Sequence, residues 1–468
     1  MATVIRQGRG IVLVHQGYTF KRNQTRANGI YWKCTNPTSQ SRLSTAVFNV
    51  DPQNNAGIII RNESPHNHAS NQDIINRQVF INAIREDIVD DPTQPIRRVY
   101  DHQLVQHRNM GVLPTYAEVQ SILSRERHAQ LPPIPQNMNN VVIQGEWART
   151  FNNDLFLLHH DAVVGISVFA TDADLRMLRR CQWVYMDGTF KTAPHPYVQY
   201  FTIHGMLHGH VIKFASALIG NKNQNSYQRL LQVLKIRIVN LTGQNFDPQA
   251  IVVDFEGALV GAIEIEFPNS ELFGCYFHFN KAVWKHVMQL GLVQGFHGDA
   301  SLKKLIKKLM PIGFLPLNQV LPSYTLLRAR GGTGRLIRRF PNLANFLTYF
   351  EDTWVNDNAR FPRRMWNVNV RPMEYRTNNH VESFHSRWNA DVGVAHPNLW
   401  VFIRKMKNNQ IVTENTVAAV QLGRPAPRRA RKWRLLEARI DVLKIRLANN
   451  NITIDQFWRS IRHTIAQF

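Results

Sequence analysis

Between Gln182 and Phe279 the apolar residues come in an order that few folds accommodate. QWVYMDGTF reads as a strand, YVQYFTIHGML and VIKFASALIG as an antiparallel pair joined by His208-Gly209-His210, and SYQRLLQVLKIRIVNL as an amphipathic helix. AIVVDFEGA then reads as a buried strand, VGAIEIEFP as a short helix and ELFGCYFHF as a further strand. Three antiparallel strands followed by alternating helices and strands predict a mixed sheet covered on both faces, an α/β layer architecture. After about residue 279 the strand signal fades. FNKAVWKHVMQLGL, SLKKLIKKLM, FPNLANFLTYFEDTWV and NNHVESFHSRWNADVG all read as helices, and the tail 424–468 is helical and basic.

Ahead of this region the pattern differs. Residues 9–68 read as a small β module: GIVLVHQGYTF, GIYWKCT and AGIIIR are short, β-branched or aromatic, and separated by turn residues. Residues 70–135 carry apolar positions at helical spacing. Thr115 with Glu118 three residues later predicts a capped helix start, and Pro132, Pro133 and Pro135 end the stretch.

The chain has 56 Lys+Arg against 33 Asp+Glu, a net charge of +23. With 44% apolar and 10% aromatic residues, wholesale disorder is excluded. Such an excess of positive charge calls for a polyanion, nucleic acid or an anionic membrane surface. The longest apolar region, Val198 to Ile219, is interrupted by His204, His208, His210 and Lys213, so no membrane span is expected and nucleic acid is favoured. The first residues lack the apolar stretch of a secretory signal. Three cysteines are too few for a disulfide scaffold and point to a reducing compartment.

In so basic a chain the acids stand out. Asp187 ends the strand WVYM, and Asp254 ends AIVV. The carboxyl ends of strands are where α/β sheets place their sites. Each alone also reads as a turn residue capping the next element. Glu382, in Thr377-Asn378-Asn379-His380-Val381-Glu382-Ser383-Phe384-His385, reads by itself as a solvated helix face. Converging, the three carboxylates would suit two Mg²⁺ about 4 Å apart, the arrangement that stabilises both oxygens of a phosphodiester cleavage.

DGTF, the strand pair with Ile203-His204, Lys222, NSYQRLL, DFEGA, GCYFHF, KAVW and the later NNHVE form an ordered set that resembles a Mutator-like element transposase domain over about residues 180–390. The resemblance implies a ribonuclease H-like fold with an all-helical insertion and a DDE triad of Asp187, Asp254 and Glu382. It implies two Mg²⁺, with Mn²⁺ able to substitute. The catalytic core then spans 154–279 and returns at 377–395 with the Glu helix. The insertion is 280–376, and 396–468 is a basic helical C-terminal region. Cys275 and His278 form a Cys-x-x-His pair at the end of the last strand. No second pair is evident, which leaves a site-supporting role and a metal role both open.

In the N-terminal module, Gly17-Tyr18, Tyr31-Trp32-Lys33-Cys34, Arg42-Leu43 and His66-Asn67-His68 resemble a FLYWCH zinc-finger domain. Its zinc ligands map onto Cys34, His66 and His68, but Ser39 stands at the second Cys position. A hydroxyl is a poor zinc ligand beside a thiolate. Residues 70–135 read as a helical linker domain, with a second DNA contact left open.

Three groups of cations are candidate phosphate contacts: Lys303, Lys304, Lys307 and Lys308 at helical spacing, Arg335, Arg338 and Arg339 after a glycine turn, and Arg428, Arg429, Arg431 and Lys432 opening the tail. Each also reads as a solvated face. The last run further reads as a nuclear-localisation signal, so a nuclear protein is expected. Gly331-Gly332-Thr333-Gly334 lacks the following Lys-Ser/Thr of a nucleotide-binding loop. Two functions follow: a DNA transposase acting as a homodimer or higher oligomer on double-stranded element ends and target, or a silenced, domesticated DNA-binding derivative acting in transcription or chromatin.

Overall fold

The computed structural model describes residues 3–7, 10–27, 29–36, 39, 41–45, 59–372, 375–428 and 430–465. The chain divides into two compact units, residues 1–134 and 135–468.

The first unit opens with an antiparallel β half-barrel: β1 (Thr3–Gln7), β2 (Gly10–His15), β3 (Tyr18–Arg26), β4 (Gly29–Cys34), β5 (Arg42–Thr45) and β6 (Ile60–Glu63), paired in chain order. Its core gathers Leu13, Phe20, Ile30, Trp32 and Leu43. The period of two puts the polar partners of these residues outside. The sequence pattern overlooked β1. The first residues of AGIIIR lie outside the described residues. The helices α1 (Gln72–Asp90), α2 (Ile96–Gln106) and α3 (Tyr116–Ala129) follow and bury Phe80, Ile84, Tyr100, Val119 and Leu123 together. Thr115 caps α3, and Glu118 Oε2 accepts from the Thr115 N–H at 2.7 Å, as the spacing predicts.

The second unit is built on a seven-stranded sheet. Its strands are β7 (Leu157–Asp161), β8 (Ile166–Phe169), β9 (Trp183–Thr189), β10 (Gln199–Leu207), β11 (His210–Ile219), β12 (Ala250–Val253) and β13 (Glu271–Gly274). They run in the order β13-β12-β9-β10-β11-β8-β7. β13, β12 and β9 are parallel; the other pairs are antiparallel. β10 and β11 turn through His208 (φ 48°) and Gly209 (φ 81°), the two positive φ values that a tight two-residue hairpin requires.

On one face, alternate residues such as Val184, Met186, Phe201 and Ile203 share a core with α4 (Asp172–Arg179), α5 (Gln224–Thr242) and α6 (Gly257–Glu266). Tyr185 and Val252 point to the opposite face. There they meet Val381 on a helix that carries Glu382, so the sheet is covered on both sides, as expected.

ELFGCYFHF departs from its reading as one strand. β13 stops at Gly274, and Tyr276 opens α7 (Tyr276–Gln289). Tyr276, Phe279, Val283 and Val287 are buried at helical spacing, and that period wins over the β propensity of the aromatics. The helical segment continues through α8 (Val293–Gly298), α9 (Ala300–Leu309), α10 (Leu317–Ala329), α11 (Gly331–Arg339), α12 (Asn342–Phe350) and α13 (Arg363–Trp366). It packs around Phe279, Trp354 and Trp366. Then come α14 (Asn379–Val392), α15 (Leu399–Gln421), α16 (Arg431–Ala448) and α17 (Ile454–Ile465). Among the described residues no helix is long and apolar enough to cross a membrane.

Lys308 corrects the reading of α9 as a row of phosphate-contacting lysines. It is 5% exposed. Its Nζ lies 2.7 Å from Asp455 Oδ1 on α17 and 4.4 Å from the Trp458 ring centroid. The Trp458 indole N–H donates to the Lys308 carbonyl. Lys308 therefore docks the C-terminal helix. The hydrogen bond from Lys308 holds the Asp455 carboxyl well below the usual carboxylate range, helped by Arg459. A carboxylate with a depressed folded value stabilises fully above its unfolded value, about 3.9, and loses that contribution as pH falls through the folded one. Asp455→Asn is expected to cost about 1–2 kcal/mol at pH 7. It should also flatten the acid limb of the stability curve below about pH 4. Denaturant unfolding across pH checks this, and a variant with the wild-type acid limb contradicts it.

Candidate active site and zinc cluster

The parallel register of β9 and β12 pairs Tyr185 with Val252. Continuing two residues along each chain brings Asp187 level with Asp254, at the carboxyl end of the central strands. Asp187 is buried, and its Oδ1 accepts the Gly188 N–H at 2.8 Å. Gly188 has no room for a side chain, because a Cβ would meet the Gln199 amide. Burial pushes the Asp254 carboxyl up to about 7, with the charges of Asp187 and Glu256 adding to the rise and Lys222 opposing it. Glu256 pairs with Lys222, 3.2 Å away, and accepts the Tyr227 hydroxyl at 3.0 Å.

Glu382 sits in the first turn of α14, half-buried. Its carboxyl is raised by burial and then by the charge of Asp187, while Lys281 and His385 lower it. Asp187 therefore acts on both other acids. The donor atoms of the three do not all lie within 4.8 Å of one another. Among the described residues only Cys34, His66 and His68 bring three donors of metal-ligand type within 4.8 Å.

The Cys-x-x-His pair lies at the start of α7, not on a strand. Cys275 is the N-cap residue, and its N–H donates to Val253 O at 2.7 Å. Its buried thiol, pushed up to about 12 by burial, donates to Asn378 Oδ1 at 2.8 Å. Asn378 is the residue before α14. One turn along α7, His278 Nε2 lies 3.3 Å from Glu382 Oε1. The pair thus ties the start of α7 to the start of the Glu382 helix at two points. The hydrogen bond of this thiol to Asn378 is a structural tie, in line with a site-supporting role.

His385 is a site residue that the sequence reading missed. It stands three residues after Glu382, hence on the same face of α14. Its Nδ1 is 3.4 Å from Asp187 Oδ2, and its Nε2 is 2.9 Å from Thr202 Oγ1. Thr202 Oγ1 is in turn 2.9 Å from the Nε2 of buried His204. Thr202 Oγ1 thus links the two imidazoles, and it also lies 3.4 Å from the Asp187 carbonyl oxygen. Burial lowers His204 well below the usual histidine value, which favours its neutral ring. Glu-x-x-His on one predicted helix, with His204 on a neighbouring predicted strand, was the available signal.

In the β half-barrel, Cys34 Sγ lies 3.2 Å from His68 Nε2, and His66 Nδ1 lies 3.3 Å from the same atom. Zn–S near 2.3 Å and Zn–N near 2.0–2.1 Å give tetrahedron edges of about 3.3–3.6 Å, so these three donors fit zinc. On its far side, His66 Nε2 faces Glu63 Oε1 at 3.5 Å, and Glu63 Oε2 faces His15 Nε2 at 3.2 Å. That is the outer carboxylate contact that orients a metal-binding imidazole. Ser39 is buried, and its hydroxyl is committed to Ser41.

Of the cations read as phosphate contacts, Lys304, Arg335, Arg338, Arg428, Arg431 and Lys432 are exposed, while Lys303 and Lys307 are half-buried. Arg339 is exposed but pairs with Asp299 at 2.5 Å. Arg429 lies outside the described residues.

Residues 183–282 match the family model of the MULE transposase domain, and residues 3–68 match that of the FLYWCH zinc finger domain. The first match contains Asp187, Asp254, Cys275 and His278 and ends 100 residues before Glu382. No curated protein matches the chain.

Proposed function

We propose that this chain, with a MULE transposase domain behind a FLYWCH zinc finger domain, is a DNA transposase whose strand-cleaving site is Asp187, Asp254 and Glu382. The observation that carries this reading is buried Asp187 and half-buried Asp254 at the ends of adjacent parallel strands, with Glu382 held by His278 and sensing the Asp187 charge. The strand order β13-β12-β9-β10-β11, parallel on one side of β9 and antiparallel on the other, supports a ribonuclease H-like core. The helices α7–α13, between the second Asp and the Glu, support an all-helical insertion in it.

Three carboxylates are a hard-oxygen donor set of the kind that Mg²⁺ or Mn²⁺ takes. Two such ions, when bound, would activate the attacking hydroxyl and stabilise the leaving oxygen. The protein's own work is positional. His385 and His278 aim Asp187 and Glu382, and the Cys275–Asn378 contact fixes where α14 begins. The exposed cations of α9, α11 and the tail supply the field that draws in phosphates. A homodimer or higher oligomer on paired DNA ends, working in the nucleus, completes the proposal.

Ser39 favours a second reading, a silenced derivative whose finger has lost a zinc ligand and which binds DNA without cutting it. Nicking of supercoiled plasmid in Mg²⁺ or Mn²⁺ separates the two: the transposase nicks and Glu382→Gln does not, whereas binding without nicking in either metal overturns the enzyme. For the finger, Ser39→Cys is expected to raise zinc affinity about tenfold or more, measured by competition with a chromophoric chelator. No gain would mean that position 39 is not where the fourth ligand belongs.

A further inference from the structure

Along helix α7, which carries His278, lies a pocket of about 400 Å³. Phe277, Trp284 and Phe296 supply its aromatic walls, and Lys281, Lys307 and Arg462 also line it. Trp284 and Phe296 meet edge to face, 4.8 Å between centroids. No acidic residue lines the pocket. Neither Lys281 nor Lys307 forms an ion pair among the described residues. Helix α7 joins this pocket to the site: His278 in its first turn holds Glu382, and Lys281, three residues on, is close enough for its charge to act on Glu382. The ligand that matches is flat and aromatic with an anion attached. An apolar ligand would leave three cations unanswered, and a bare anion would leave the aromatic walls unused.

We propose that this pocket takes one unstacked base of a DNA strand, with the adjoining phosphate on Lys281, Lys307 and Arg462, and so fixes the strand against the carboxylates. The proposal rests on the reading of the chain as a DNA-acting protein. It adds Trp284 as a positioning residue that grips the nucleic acid away from the reacting atoms. Stacking of a base on an aromatic side chain is sequence-tolerant, so the pocket would select an extruded or single-stranded nucleotide and not a particular base.

The test uses the full chain without divalent metal, so that nothing is cleaved. The probe is a single-stranded oligothymidylate carrying one central 2-aminopurine, compared with the same strand abasic at that position. Wild-type protein should quench the 2-aminopurine and bind it about tenfold more tightly than the abasic strand. Trp284→Ala should abolish both differences, and Trp284→Phe should restore the affinity difference. Lys281→Gln should weaken both strands alike and keep the quench at saturation. Equal affinity of wild-type protein for the two strands overturns the proposal, even if Trp284→Ala fails to fold. So does a quench that survives Trp284→Ala, which puts the base elsewhere and leaves the pocket to another occupant, such as a peptide segment. Because no cleavage is involved, a protein that never nicks plasmid can still pass this test, and one that nicks can still fail it.

Discussion

Asp187→Asn is expected to lower metal-dependent strand cleavage by about 10³-fold or more while DNA binding stays equal or tightens. Asparagine keeps the size of the side chain and can still accept the Gly188 N–H. What it removes is the charge that acts on both Asp254 and Glu382. Removing that charge weakens the hold on any cation and lessens the repulsion felt by an incoming phosphate, so rate and affinity should move in opposite directions. Cleavage and filter-binding assays on the same preparation check this. Unchanged cleavage would remove Asp187 from the reaction.

Arg371→Met is expected to destabilise the unit 135–468 by about 2–5 kcal/mol, from about 1–3 kcal/mol for each buried carbonyl left without its donor, the largest loss of stability foreseen here. Arg371 is 3% exposed. Its guanidinium donates to Gly274 O at 2.9 Å and Met365 O at 2.8 Å, and it lies over the Phe273 ring at 4.3 Å. Methionine fills the volume but leaves buried carbonyls without donors, and an unsatisfied buried acceptor carries the full desolvation penalty. Because these bonds join the end of β13 to the loop that leads into α14, cleavage should fall as well. Chemical denaturation monitored by tryptophan fluorescence measures the loss, and a change under about 1 kcal/mol would contradict this account of the loop.

How far the sequence could be read depended on whether a local pattern decided the structure. The placement of Asp187 and Asp254 at the ends of strands was legible because each follows an unbroken β-branched or aromatic run. The placement of Glu382 on a helix followed from apolar spacing. CYFHF misled because its aromatics serve strand and helix alike, and only the continuing period through Val283 and Val287 decides between them. Strand β7 was obscured by His159, His160 and Asp161, whose polar side chains suit the edge position it holds.

Lys308 looked like its neighbours on α9. What distinguishes it is Asp455, 147 residues away, and no local pattern carries that. The same limit hid His385, whose partners Asp187 and Thr202 belong to strands nearly 200 residues earlier. The cluster of Cys34, His66 and His68 was legible through the resemblance to a FLYWCH domain, and the structure brings the three together. The Glu63 contact that orients His66 was not.

The central claim is that Asp187 binds a divalent cation that acts in cleavage, and Asp187→Cys tests it most directly. Thiolate is a poor ligand for Mg²⁺ and a better one for Mn²⁺. Plasmid nicking by this variant should vanish in Mg²⁺ and recover substantially in Mn²⁺, while the wild-type protein nicks in both. Equal loss in the two metals, or equal activity in them, would contradict the claim that the Asp187 carboxylate touches the metal.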